Sequence, residues 1–181
     1  MSKNWRDIQA RVAKFPRKEL EGLLTLAMRK HDDIFEYVWI NYLDKEYGRL
    51  DLYEQYLGDI NGLLAKGYRG RSDQLRVAAR IDACKKHLEN FIKAGAEKDK
   101  ALDLTLFVLE HAAVGYPDMS GTCFTKYDYA YYMLFKKAKS LFYGLHSDLQ
   151  LDYRARLQAI LSKLKRHSSH LNYVYDLAET I

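Results

Sequence analysis

The sequence predicts an all-α fold: an irregular antiparallel helical bundle of roughly eight or nine helices with helical-repeat-like, α-solenoid character. Three observations predict it. Apolar residues recur with the 3.6-residue period of a helix over most of the chain. Two prolines and ten glycines in 181 residues are too little punctuation for a domain of many short strands and turns. Apolar residues make up 48% and charged residues 29%, the balance of a folded globular chain. A chain of this length buries roughly 70% of the surface its unfolded form exposes. Residues 1–181 are therefore read as a single all-helical domain with a self-sufficient core.

The elements follow in order. A short helix is expected from Asn4 to Phe15. Pro16 then punctuates the chain and fits the first position of the next helix, where its missing N–H costs nothing. Leu20, Leu23, Leu24, Ala27 and Met28 form one face of that helix. Asp32 and Asp33 restart the helix by accepting free N–H groups. The stretch Ile34–Leu43 is apolar on nearly all sides, and such a helix is expected deep in the domain. After Gly48, Leu52, Tyr53, Tyr56, Leu57, Ile60, Leu63 and Leu64 mark a further helix.

Gly67-Tyr68-Arg69-Gly70-Arg71 reads as a loop. Ser72 caps a long helix that buries Val77, Ile81, Cys84, Leu88 and Phe91, and Gly95 ends it. The helix from about Lys98 to Val114 looks central to the fold. Gly115–Thr122 is a loop. Tyr127, Tyr129 and Tyr131 alternate with polar or small residues as a strand would, but the run continues too far for a strand, so a helix to Tyr143 is expected. Thr125 with Asp128 resembles a capping box. Ser147-Asp148-Leu149-Gln150 fits a Ser-x-x-Gln capping box. Ser168 or Ser169 starts a last short helix. Helix pairs begin near Pro16, Leu50, Glu97 and Ser147, at spacings near those of helical repeats of roughly 40–47 residues. No residue motif recurs with them, so a bundle with some solenoid character is the reading.

The net charge is +5, and it alternates along the chain. Residues 1–31 carry eight basic and three acidic side chains; residues 32–61 carry two and eight. Residues 62–100 carry ten and five, residues 101–134 one and four, and residues 135–181 eight and four. Neighbouring helices of opposite sign attract one another mildly. A positive face built from the first, middle and last blocks would instead suit an acidic partner.

One local feature points to binding. Lys66, Tyr68, Arg69, Arg71, Arg76 and Arg80 surround a Gly-flanked loop that ends at a helix start. Glycine admits close backbone approach, a helix N-terminus favours anions, and arginine forks fit phosphate and carboxylate. This is the candidate site for an anion or an acidic partner. It is not a phosphate-binding P-loop, because GxxxxGK[ST] and a preceding strand are missing.

Other chemistries find little support. His167 and His170 are three apart, and Cys84 with His87 is half of a zinc site that no second pair completes. His31, Asp32, Asp33 and Glu36 read as a helix start. No metal and no cofactor are expected. Asp99, Asp103 and Glu110 form the polar stripe of the central helix, either as acid–base groups or as a solvent edge or partners for arginine. Tyr127, Tyr129 and Tyr132 are candidates for a surface site. Cys84 reads as a buried apolar residue and Cys123 as a loop thiol. The polar N-terminus has no signal-peptide core and no stretch reaches membrane length, so a cytoplasmic chain without a membrane partner is expected.

The function expected from these features is a non-enzymatic helical interaction or scaffold domain that binds an acidic peptide or protein. Two alternatives stand beside it: nucleic-acid or polyanion binding through the basic blocks, and a small-molecule enzyme or carrier using Asp103 and Glu110.

Overall fold

A computed structural model describes residues 4–44, 47–69, 72–114, 126–168, 171–175, 177 and 180–181. Among these residues every regular element is helical. The helices are α1 (Trp5–Val12), α2 (Arg17–Lys30), α3 (Asp32–Val38), α4 (Gly48–Ala65), α5 (Asp73–Lys93), α6 (Lys98–His111), α7 (Lys126–Tyr143), α8 (Ser147–Ser168) and α9 (Asn172–Tyr175). Helix α3 runs on into a π-helical turn over Trp39–Leu43, closed by Asp44 N–H donating to the Trp39 carbonyl at 2.8 Å.

Helix α6 is central, as its apolar sequence predicts. It buries Ala101, Leu102, Leu104, Thr105, Leu106, Val108 and Leu109 and packs against α4, α5, α7 and α8. One buried cluster joins α4 to α9, with Phe91, Phe135 and Phe142 among its largest members. The buried Thr105 hydroxyl donates back to the Ala101 carbonyl at 2.6 Å, as helical threonines do. The tyrosine-rich stretch is helical, not a strand. Tyr127 and Tyr131 lie buried while Tyr129 between them is exposed.

Helix α5 starts and stops where the sequence places its ends. Ser72 Oγ accepts the Leu75 N–H at 3.4 Å. At the other end Gly95 has φ +89°. Its N–H donates to the Ile92 carbonyl, and the Ala96 N–H donates to the Phe91 carbonyl. These two bonds make a Schellman motif. A Cβ on Gly95 would lie 3.2 Å from the Tyr37 ring, so the turn also seats α3 against α5.

Several local expectations shift. Pro16 precedes α2 as its cap residue rather than occupying the first helical position. Asp32 and Asp33 make no cap hydrogen bond and sit in the first turn of α3, where their charge suits the helix dipole. The Ser147 capping box does not form. Helix α8 already includes Ser147, and Gln150 Nε2 donates instead to the Leu145 carbonyl at 3.0 Å. Thr125, and with it the other capping box, lies outside the described residues.

The largest departure is at the N-terminal end. Neither α1 nor α2 buries a single residue. Helix α2 makes its one extended contact with α3, and α1 makes none among the described elements. The stretch 34–43, predicted to lie deep in the domain, buries Ile40 alone.

Candidate interaction surface

Lys66 and Arg69 are exposed and Tyr68 is half-buried. Arg76 pairs with Asp73 one turn earlier at 3.1 Å, with both side chains more than 40% exposed. Arg71 lies outside the described residues. Arg80 departs from the expectation. It is only 8% exposed, and its Nη1 donates to the Ala112 carbonyl at 3.0 Å. Ala112 ends α6, so Arg80 serves a carbonyl that the helix leaves unpaired and adds positive charge at the negative end of its dipole. Arg80 therefore ties α5 to the end of α6. Beside it, burial raises the Tyr68 hydroxyl pKa above its ordinary value, with Cys84 adding to the rise and Arg80 opposing it. Burial likewise pushes the Cys84 thiol up to about 11, as a core cysteine should be.

The acidic stripe of α6 faces α8. Arg156 Nε and Nη2 grip Glu110 at 2.8 Å each, and Nη1 reaches Asp103 at 2.6 Å. Asp103 also accepts the Tyr53 hydroxyl at 2.5 Å. Burial, then this bond, holds the Tyr53 pKa well above the ordinary phenol value. One guanidinium thus bridges two carboxylates, and a tyrosine from α4 completes the cluster. Of the roles the sequence leaves open for Asp103 and Glu110 (acid–base groups, a solvent edge or partners for arginine), this geometry is that of partners for arginine. A groove of about 490 Å³ runs beside the cluster, lined by Leu109, Tyr131, Ala155, Ala159, Ile160 and Lys163 among others. Among the described residues no group of three or more His, Cys, Asp and Glu side chains could hold a metal; His170 and Cys123 lie outside them. Among the described residues no helix is long and apolar enough to cross a membrane.

The third feature is apolar. Large hydrophobic side chains are exposed at twenty-one described positions, and fifteen of these fall between Trp5 and Leu50. Trp5, Ile8 and Val12 line one side of α1, and Phe15 follows at its end. Leu20, Leu23, Leu24 and Leu26 stand on α2. Phe35, Tyr37, Trp39, Tyr42 and Leu43 belong to α3 and its π-turn, and Tyr47 and Leu50 to the start of α4. Trp5 is 69% exposed and Tyr42 66%. Scattered exposed apolar residues are ordinary on a protein surface; here they are concentrated in one stretch of the chain.

The same region is polarised. Arg6, Lys14, Lys18, Arg29 and Lys30 form no ion pair among the described residues, and neither do Asp32, Asp33, Asp51, Glu54 and Asp59. Glu36 accepts the Tyr56 hydroxyl at 2.9 Å. Burial raises the Glu36 pKa, and Asp32, Asp33 and Asp59 add to the rise while the Tyr56 bond opposes it. A groove of about 240 Å³ opens here, walled by Phe35 and Trp39 and edged by Glu36 and Asp51. Gly48 lines its base, where a Cβ would stand 3.0 Å from the Trp39 ring.

No protein-family model, curated protein or solved structure matches this chain. The surface therefore rests on its own geometry. The apolar stripes of α2 and α3 are visible in the sequence, but periodicity cannot distinguish a stripe that the core buries from one that stays exposed.

Proposed function

We propose that this chain is a non-enzymatic helical interaction domain that binds a protein partner through residues 5–50. The observation that carries the reading is the placement of fifteen exposed large apolar side chains on α1, α2, α3 and the start of α4. The core of α4–α9 is closed without them. Exposing that much apolar surface to water is unfavourable by roughly 25 cal/mol per Å², and a partner would recover it. The unpaired charges of the same region would then set partner choice and encounter rate. The engagement of Asp103 and Glu110 by Arg156 supports the non-enzymatic side of the reading. The basic loop, with Lys66 and Arg69 exposed, is a secondary contact for acidic groups of a partner.

The test is site-specific photo-crosslinking in cells that express the chain. A photoreactive residue is placed at Leu24 or Tyr42, with Lys136 on α7 as the control position. Protein adducts at Leu24 and Tyr42 and none at Lys136 are expected. Absence of adducts at Leu24 and Tyr42 contradicts the reading.

A further inference from the structure

The surface of residues 5–50 has two halves of opposite sign. Residues 1–31 carry eight basic and three acidic side chains, and residues 32–61 two and eight. Both halves expose large apolar side chains. A partner that covers the whole region must therefore be apolar throughout, acidic where it meets α1–α2 and basic where it meets α3–α4. An anionic membrane satisfies the first half and is repelled by the second. A uniformly acidic or basic protein fails in the same way. A second copy of this chain presents both signs by construction, and a two-fold axis brings each half of one copy onto the opposite half of the other.

We propose that two copies of this chain form a reciprocal dimer, the basic α1–α2 arm of each lying on the acidic α3–α4 face of its partner. The proposal rests on the reading of residues 5–50 as an interaction surface and names what occupies it. The arm is placed for this use. Neither of its helices has a buried residue, the extended contact of α2 among the described elements is with α3 beside it in sequence, and Leu20, Leu23, Leu24 and Leu26 of α2 stay exposed. The receiving face has a matching feature. The Phe35 and Trp39 rings lie against each other at 5.8 Å and line a groove of about 240 Å³ with Glu36, Asp51 and Leu52, a setting for a leucine or an arginine stem from α2. The area suffices. Fifteen large side chains, each about half exposed, offer on the order of 1,000 Å² per copy, against the ~800 Å² per partner of a standard interface.

The experiment uses the purified full-length chain in analytical ultracentrifugation at micromolar concentration. The parent is expected to sediment with twice the 21.2 kDa chain mass, and to dissociate as salt is raised. Two charge-reversed chains then test the pairing. Lys14→Glu with Lys18→Glu makes the arm acidic; Asp51→Lys with Glu54→Lys makes the face basic. All four positions are exposed. Each variant alone opposes like charges and should associate on the order of tenfold or more weakly. An equal mixture restores opposite charges at both contacts and should return the dimer. Helical circular dichroism of each variant confirms folding. A parent that stays monomeric, or a mixture no more associated than its components, overturns the proposal. So does a monomer that co-floats with vesicles of phosphatidylcholine and phosphatidylserine, which would assign the arm to a lipid surface. A monomeric parent that still gives crosslinked adducts of other masses at Leu24 would sink the dimer alone; absence of all adducts would sink the interaction reading itself.

Discussion

Replacing Arg156 by alanine should destabilise the chain by about 2 kcal/mol. The side chain makes three charge-assisted hydrogen bonds, two to Glu110 at 2.8 Å and one to Asp103 at 2.6 Å. Breaking a fully buried pair from one side costs about 3–5 kcal/mol, and a fully exposed pair is worth about 0–1 kcal/mol. Here the side chains are 34%, 27% and 31% exposed for Arg156, Asp103 and Glu110, so water recovers part of the loss and the value falls between the limits. The geometry matters beyond the charge: lysine cannot grip Glu110 with a fork and reach Asp103 together. Arg156→Lys should therefore recover only about half of the loss. Urea unfolding of the parent and both variants, with the slope held common, measures this. In a chain of this size ~2 kcal/mol corresponds to a fall in melting temperature of about 4–8 °C. A loss under about 0.5 kcal/mol, or full rescue by lysine, would refute the assignment of the cluster as a tie between α6 and α8.

Three further outcomes are expected. Gly95→Ala should lower stability by about 1–2 kcal/mol, because an L-residue at φ +89° is strained and the new Cβ meets Tyr37 at 3.2 Å; thermal melts that superimpose on the parent would contradict the Schellman end of α5. Glu36→Gln should stabilise the chain at neutral pH. The folded carboxyl is raised above 4.5, first by burial and then by Asp32 and Asp33 of α3 and Asp59 of α4, against the Tyr56 bond. A raised group favours folding below its unfolded pKa and loses that contribution as pH rises through the folded value, so the gap between variant and parent opens above about pH 4.5 and closes below it in a pH series of melts. Arg69→Glu with Arg71→Glu should leave far-ultraviolet circular dichroism unchanged and weaken retention on heparin; retention equal to the parent's would reduce the loop to a solvated connector.

The sequence was most informative where one helix face had one job. The 3.6-residue period places α5, α6 and α8 correctly, because each buries its stripe against the bundle. The Ser72 cap and the Gly95 stop were legible because each residue type answers a single backbone need. Helix α6 reads as central since it is apolar on several sides and four helices cover it. The same rule fails for Ile34–Leu43: apolar residues on every side predict burial, yet Phe35, Tyr37, Trp39, Tyr42 and Leu43 meet water. Composition reports that a surface wants covering, not which chain covers it. Arg80 shows the converse. Its position in the basic loop's sequence neighbourhood suggests anion binding, but the periodicity of Val77, Ile81, Cys84 and Leu88, over about three turns, puts its side of α5 on the core, where the end of α6 supplies the acceptor. The bridge from Arg156 to Asp103 and Glu110 joins residues about fifty positions apart in sequence, a pairing that spacing within one helix cannot reveal.

On the proposed reading, the apolar residues of α1–α3 serve association and not folding. Equilibrium urea unfolding of the Leu23→Glu, Leu24→Glu double variant, at submicromolar concentration where the chain is dissociated, tests it most directly. The expected free energy lies within about 0.5 kcal/mol of the parent's, as for surface substitutions away from packed features. A loss in the range of about 2–5 kcal/mol, the cost of truncating buried leucines, would mean that α2 packs into the core of its own chain and would contradict the account.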